Sequence, residues 1–194
     1  MRSSYANMLV LGTTKAAVLE ALGGRVALVA DEVDGVVAVF HDEVGGGPAF
    51  TITGPLSAAL HGPLLFFSAH GAGVLDCQAW QGGSLVAEAS APEVQKRADV
   101  ATELSSVLAE FAPELALPRA QAEGPEAFVD AVGTGDRAAA VDVFRADFVL
   151  AGDRQEALLA ALGLPTFAAS WGRRHLLEDG DDYGGPPLTA TGGR

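Results

Sequence analysis

The stretch that decides the fold is "LLFFSAHGAGVLDCQAW", residues 64–80, in which two apolar runs flank a glycine-rich bend. Side chains alternate between the two faces of a strand, so the register of a hairpin decides which residues share a face. A three-residue turn at 71–73 makes one face of the hairpin wholly apolar, through the pairs Ala69–Leu75, Phe67–Cys77 and Leu65–Ala79. A two-residue turn would instead place Asp76 opposite Phe67. The sequence therefore predicts a hairpin with the longer turn.

The same register gathers polar side chains on the opposite face. A second three-residue turn, predicted at 82–84, sets Glu88 beside Gln78 and Ser90 beside Asp76. A polar row across three strands results, and its members are Ser68, His70, Asp76, Gln78, Glu88 and Ser90.

Asp76 and Glu88 are the only acidic residues between Val44 and Pro92, and no lysine or arginine occurs from Val26 to Gln95. Two carboxylates in so apolar a stretch need a hydrogen-bond partner, a shifted pKa or solvent. One interpretation is a functional cluster. The other is the hydrated face of a half-exposed antiparallel sheet.

In the functional interpretation, His70, Asp76 and Glu88 are the candidates for general acid–base chemistry. The further candidates for ligand binding are Ser68 and Gln78 in the row, and Arg173 and Arg174 of "GRRH", which could supply a counter-charge. Against this interpretation, a histidine at a turn is commonly hydrogen-bonded or hydrated. Cys77 is predicted to be a core residue, because its neighbours on the apolar face are Leu75 and Phe67 and no cation is near to stabilise a thiolate.

The first 92 residues have the pattern of a sheet-rich unit. "MLVLG" (8–12) predicts a strand and "TTKAAVLEALGG" (13–24) a helix with a Thr cap and terminal glycines. Asp34-Gly35 lies between two β-branched runs and predicts a hairpin with a type I′ turn. A short helix is expected near Pro55–Leu60. The resulting order is β-α-β-β-α-β, the ferredoxin-like pattern, followed by two further strands.

The remainder of the chain predicts helices. Ser90 and Glu93 have capping-box spacing at the start of one helix, which carries an apolar stripe ending at Phe111. Three further helices are expected in "PEAFVDAV" (125–132), "DRAAAVDVF" (136–144) and "DRQEALLAALGLP" (153–165). We therefore expect a single α+β domain over residues 1–177, sheet-rich in 1–92 and helix-rich in 93–177. The Gly/Pro-rich residues 178–194 predict a disordered tail.

Composition excludes several classes of protein. A net charge of −13 repels polyanions and leaves few cations for counterion release, so nucleic acid is not an expected partner. The lone Cys77 excludes an internal disulfide and favours a reducing compartment. No apolar run approaches the roughly 18 residues of a membrane span, and the amino terminus lacks the pattern of a signal peptide. We expect a cytoplasmic protein without a membrane partner.

The motifs of common catalytic centres are missing from the sequence. G-x-S-x-G, H-E-x-x-H and C-x-x-C do not occur, and "HDEVGGG" (41–47) lacks the Lys-Ser or Lys-Thr of a phosphate-binding loop. "EDGDD" (178–182) lacks the alternating oxygen ligands of an EF-hand loop. The sequence thus predicts neither a metal site nor a cofactor, and it favours a non-enzymatic protein.

Two stretches, "PLSAALHGPLLFFSAHGAGVLDCQAWQGGSLVAE" (55–88) and "RQEALLAALGLPTFAASWGRRHLLEDG" (154–180), resemble a group of uncharacterised bacterial proteins. In that group an apolar strand, a His with acidic neighbours and a strand like "lvDEY" precede an "ALGLP" helix. This chain departs from the pattern because Gly-Ala-Gly follows His70 and alanines flank Glu88. The resemblance implies an α+β fold and no established activity, and a metal held by such acids in the group would be lost here.

These observations lead to two hypotheses. The first is a non-enzymatic cytoplasmic interaction or regulatory protein, with an immunity-like role, which binds a protein partner or a second copy of itself. It follows from the lack of a catalytic motif and from apolar residues on both faces of the hairpin. The alternative is a small-molecule-binding protein or an enzyme that uses the His70, Asp76 and Glu88 cluster.

Overall fold

The computed structural model describes residues 4–41, 50–70, 73–91 and 120–192. This part of the chain contains an eight-stranded sheet and six α-helices. The strands are β1 (Ser4–Leu11), β2 (Ala27–Ala30), β3 (Val36–Phe40), β4 (Leu64–His70), β5 (Val74–Gln81), β6 (Ser84–Ala91), β7 (Ala122–Glu123) and β8 (Leu188–Thr191). The helices are α1 (Lys15–Leu22), α2 (Phe50–Ala59), α3 (Pro125–Val132), α4 (Arg137–Arg145), α5 (Ala151–Ala161) and α6 (Arg173–Asp179), with a 3-10 turn at Gly180–Asp182.

The sheet has the spatial order β7-β6-β5-β4-β1-β3-β2-β8, and every neighbouring pair is antiparallel except β6 and β7. The prediction of a mixed α+β fold with a mainly antiparallel sheet is therefore confirmed. No helix within the described ranges combines the length and the apolar character that a bilayer crossing requires.

Both faces of the sheet are covered by helices. Helices α1 and α2 pack on one face through Val18, Leu22 and Leu56. Helices α3 to α6 pack on the other face, where Phe128, Leu158 and further apolar residues meet the side chains of the sheet. Because both faces are apolar, β2, β3 and the second half of β1 (8–11) consist of continuous apolar residues rather than of an alternating pattern.

The hairpin of β2 and β3 forms as its turn residues predict. Asp34 and Gly35 have φ of 52° and 75°, the left-handed conformation that a type I′ turn demands of both central residues. Val33 and Val36 exchange two backbone hydrogen bonds across the turn. Upstream, the side chain of Thr14 caps α1 by accepting from the Ala17 N–H, as predicted.

The register of the β4–β5 hairpin is also confirmed. Phe67 pairs with Cys77, and His70 pairs with Val74, so three residues connect the strands. Of these three, residues 71 and 72 lie outside the described part of the chain.

The β5–β6 hairpin has the predicted residue pairs, but its turn is shorter than predicted. Gln81 pairs with Ser84, so the turn has two residues, Gly82 and Gly83, rather than three. A β-bulge between β5 and β6 then adds one residue, after which Gln78 pairs with Glu88 and Asp76 with Ser90. Both glycines have positive φ, which makes the tight turn accessible.

Three of the predicted helices lie in the described part of the chain. Helices α3 to α5 occupy the three segments expected to be helical, and Asp136 caps α4 by accepting from the N–H groups of Ala138 and Ala139. The helix predicted from Ser90 to Phe111 falls almost entirely on residues 92–119, outside the described ranges. Helix α6 was not predicted, and α2 begins at Phe50, earlier than the expected Pro55.

The carboxyl-terminal residues contain a strand where composition predicts disorder. Leu188–Thr191 form β8, and each of its four residues pairs with one residue of β2. Without β8, β2 would be an edge strand with unpaired backbone N–H and C=O groups. A strand of four residues is long enough to pair with all four residues of β2. The glycines and prolines lie on both sides of β8, at 184–187 and at 192–193, and therefore do not interrupt it.

Gly62 is required where β1 ends. A Cβ atom at this position would lie 1.8 Å from the carbonyl oxygen of Leu11, while the Leu11 N–H donates to Pro63 O at 3.0 Å. We expect Gly62→Ala to lower the free energy of unfolding by about 3 kcal/mol, because backbone must move to accept the methyl group. Chemical denaturation measures the change. Gly180→Ala is the matched control, since its Cβ meets no atom within 4 Å; equal losses in the two variants would contradict the packing argument.

Candidate functional site: a polar row on strands β4 to β6

The predicted polar row lies on the face that α1 and α2 cover elsewhere. Leu64 and Phe66 on β4 and Trp80 on β5 belong to the apolar cluster of this face, and the row continues along the same strands. Its described side chains are Ser68, Asp76, Gln78, Glu88 and Ser90, and all are half-buried. Strand register thus brings together residues from three strands.

His70 occupies the next position of β4 on this side. It lies two residues beyond Ser68, and its backbone pairs with Ser4 of β1 and with Val74 of β5. Its side chain is outside the described part of the structure. A role for His70 in the row stays a prediction.

One end of the row is organised around Asp76. The hydroxyl of Ser90 donates to Asp76 Oδ1 at 2.5 Å across the β5–β6 ladder. A hydrogen bond to a carboxylate is shorter and stronger than one between neutral groups. Ser90 therefore holds the carboxyl group in a fixed orientation on the sheet.

The other end is organised around Trp80 and α2. The indole Nε1–H of Trp80 donates to Gln78 Oε1 at 3.1 Å. Helix α2 approaches so closely that a Cβ on Gly54 would lie 3.4 Å from the Trp80 ring, and Ser57 Oγ accepts from the Gly83 N–H at 3.3 Å. The helix thereby positions the indole that orients Gln78.

The chemistry that this row offers is hydrogen bonding to carboxylate, amide and hydroxyl groups held on a rigid sheet. Among the described residues, no group of three His, Cys, Asp or Glu side chains is arranged to hold a metal ion. The row also stands on strands, which position side chains more rigidly than loops do.

The two candidate arginines lie on an element that packs on the opposite face. Leu176 of α6 belongs to the apolar cluster of the face away from the row. Arg174 Nε donates to Glu178 Oε1 at 3.0 Å, one turn along the same exposed helix. The sheet therefore separates α6 from Asp76 and Glu88. The sequence could not reveal this, because strand alternation does not say on which face a distant helix will pack.

Cys77 faces away from the row and is fully buried under the helical layer. Burial raises the pKa of its thiol well above the ordinary value of 9.0, and the neighbouring Asp76 acts in the same direction. Both effects keep the thiol neutral and weakly nucleophilic. The prediction of a core cysteine is confirmed.

Sequence reasoning missed a buried polar network on this second face. Asn7 of β1 is 1% exposed, and its Nδ2 donates to Ala168 O and Trp171 O, each at 2.8 Å. Gln155 of α5 is fully buried and donates to Asn7 Oδ1 at 2.9 Å. The detectable signal was Asn7 itself, an amide within the apolar strand "YANMLVL" (5–11).

A buried arginine joins this layer to the preceding helix. Arg154 is 2% exposed, and its Nη1 donates to Val143 O at 3.1 Å and to Phe144 O at 3.0 Å. These carbonyl groups belong to the last turn of α4, where arginine commonly satisfies unpaired acceptors. The guanidinium also lies 5.0 Å from the centre of the Phe148 ring. Arg154 thus acts as a structural cation in the described fold.

Comparisons with known proteins give no match: no family model, no curated protein and no solved structure matches this chain.

Cys77 should react with thiol reagents only when the protein opens. We expect its alkylation at pH 8 to be at least about a thousandfold slower than that of a thiol added at the exposed Ser84, because a buried thiol waits for unfolding. Mass spectrometry of alkylated peptides follows both sites in a Ser84→Cys variant. Alkylation of Cys77 at the surface rate would refute its burial.

A related effect should appear at alkaline pH. The folded thiol remains protonated above pH 9.0, whereas the thiol of the unfolded chain ionises there, so the unfolded state binds fewer protons. The free energy of unfolding is therefore expected to fall as the pH rises above about 9. Cys77→Ala, measured by denaturation across the same range, should show a shallower decline; an identical decline would exclude a contribution from the thiol.

The amide pair should be energetically coupled. Asn7→Ala removes two donated hydrogen bonds and the acceptor for Gln155, so we expect a loss of about 3 kcal/mol in the free energy of unfolding. The Asn7→Ala/Gln155→Ala double variant should lose at least about 1 kcal/mol less than the sum of the single losses. Pairing Asn7→Ala with Glu156→Ala, at an exposed position, serves as the additive control. If the losses in the free energy of unfolding were additive in both pairs of variants, Asn7 and Gln155 would not be energetically coupled.

Proposed function

We propose that this chain is a non-enzymatic interaction or regulatory protein with an immunity-like role, and that the polar row on β4 to β6 is its recognition surface. The proposal rests on the partial burial of the row. Its five described side chains lie next to one another on three strands, and all are half-buried: Ser68, Asp76, Gln78, Glu88 and Ser90. The partner is a protein, either a different one or a second copy of the chain.

The internal hydrogen bonds of the row support a role in recognition. Ser90 orients Asp76 and Trp80 orients Gln78 before any partner arrives. A preorganised surface loses little side-chain entropy on binding, which favours affinity.

The net charge and the cysteine content bear on the type of partner and on the cellular location that we propose. The net charge of −13 disfavours nucleic acid as the partner. A single buried free thiol is compatible with a reducing compartment, and we propose a cytoplasmic location on that basis. We also propose that β1 to β4 with α1 and α2 form a ferredoxin-like unit, supported by the spatial order β4-β1-β3-β2 and by both helices packing on one face.

The alternative function is binding or conversion of a small molecule at His70, Asp76 and Glu88. The short hydrogen bond from Ser90 to Asp76 favours this alternative, since an oriented carboxyl group also suits a polar ligand. Helix α6, which carries Arg173 and Arg174, packs on the other face, so the nearest further ligand groups on the row are Ser68 and Gln78.

Charge reversal in the row tests the main proposal. We expect Glu88→Lys to weaken self-association, or capture of a protein partner, by at least about tenfold, because it inverts a charge within the surface. Glu156→Lys makes the same change on an exposed position of α5, on the opposite face, and should leave binding unaltered. Light scattering, crosslinking and pull-down with purified chain give the readouts, and Glu88→Gln provides a milder variant if folding suffers.

Three outcomes separate the hypotheses. Binding that is lost in Glu88→Lys and kept in Glu156→Lys supports the recognition surface. A strictly monomeric wild-type chain that captures no partner, or equal losses in both variants, overturns it. A small molecule that stabilises the wild type but neither Asp76→Asn nor Glu88→Gln would establish the alternative instead.

A further inference from the structure

The edge of the sheet next to β2 shows an unusual contrast in burial. All four residues of β2 are buried, whereas its outer neighbour β8 has two exposed and two half-buried residues. No residue from Leu177 to Gly192 is fully buried. We define residues 180–192 as the C-terminal strap. A deeply buried apolar strand is therefore covered by a segment that itself buries little.

The strap is attached mainly through hydrogen bonds to the backbone. Besides the β2–β8 ladder, Thr191 Oγ1 donates to Arg25 O at 2.6 Å and accepts from the Ala27 N–H at 3.1 Å. The Asp31 N–H donates to Pro187 O at 2.9 Å. Together these bonds fix both ends of the four-residue strand β8.

One aromatic side chain anchors the start of the strap. The ring of Tyr183 makes edge contacts with Phe40 of β3, at 6.0 Å between centroids, and with Trp171, at 5.4 Å. Its hydroxyl oxygen is buried without a hydrogen-bond partner in the described part of the chain. Since a buried hydroxyl of this kind gains no hydrogen bond, the contact stabilises the strap only through its ring.

These attachments imply that the strap can open while the rest of the fold stays intact. Segments with few buried side chains open at a lower free energy than the core does. An open strap would uncover the backbone N–H and C=O groups of β2, together with the aromatic surface of Phe40 and Trp171. Such an edge pairs readily with another extended segment.

We propose that the outer edge of β2 is a strand-addition site, and that an extended peptide segment of a partner protein binds there by displacing the strap. The strap defines the chemistry of that segment: an aromatic residue, a short extended spacer and a threonine or serine at the position of Thr191. This site is separate from the polar row, so it does not depend on the function proposed above.

The local charge and the length of the connection before β8 favour a partner's peptide over a second copy of this chain. Exchange of straps between two copies would bring together the acidic residues at and just before the start of each strap, Glu178, Asp179, Asp181 and Asp182, and these like charges repel one another. In addition, four residues connect Tyr183 to β8 and span at most about 14 Å. If two copies exchanged their β8 strands while each Tyr183 stayed in its own copy, this short connection would hold the acidic surfaces of the two copies close together.

Hydrogen exchange of the 194-residue chain tests whether the strap opens. Thr191→Val preserves the shape of the side chain but removes the hydrogen bonds of its hydroxyl group, so we expect the β2 amides to exchange roughly fivefold to tenfold faster, with β4 amides unchanged. Thr189→Val is the matched control, because Thr189 is exposed on the same strand. If the β2 amides exchanged only when the β4 amides did, at the rate of complete unfolding, the proposal would be overturned.

Peptide binding tests the acceptor site. A fluorescent peptide of residues 181–192 should bind the Thr191→Val chain at least about fivefold more tightly than it binds the wild type, because the resident strap competes less. A peptide with valine at the position of Thr191 should bind more weakly. No binding to either chain, or binding unaffected by either change, would refute strand addition. Concentration-dependent dimers that exchange straps would assign the site to a second copy and refute a partner's peptide.

Discussion

The alternation of side chains along β4 and β5 is the constraint on which the other features depend. Because Phe67 and Cys77 form one cross-strand pair, the neighbouring Ser68 and Asp76 must face the other way. One choice of register therefore creates the apolar surface that receives the helices and, on its reverse, the polar row. A slip by one residue would exchange these surfaces and destroy both.

The helical layer is fixed on this surface by a few buried polar groups. Asn7 projects from the sheet to two carbonyl groups of the segment before α6, and Gln155 completes the contact from α5. Ser170 in that segment adopts a positive φ of 68°, and a Cβ on Gly152 would lie 1.8 Å from its Oγ. Directional hydrogen bonds thus specify an arrangement that apolar packing alone would leave less defined.

The two ends of the molecule differ in how firmly they are held. The β4–β6 sheet has buried residues on every strand and carries the preorganised row, while the strap covers β2 with half-exposed side chains. A rigid surface and a weakly held edge suit different kinds of recognition. The first suits a partner with complementary side chains, and the second suits an extended backbone.

The sequence by itself determined the elements that local chemistry controls. Asp34-Gly35 set one turn, Asp136 capped α4, and the pairing of apolar residues set the register that placed Asp76 opposite Ser68. Only the tertiary structure decided that α6, with Arg174, packs on the face away from the row, and that β8 pairs with β2. The reason is physical: turns, caps and hairpin register depend on residues close in sequence, whereas these placements depend on distant surfaces left open by the rest of the chain.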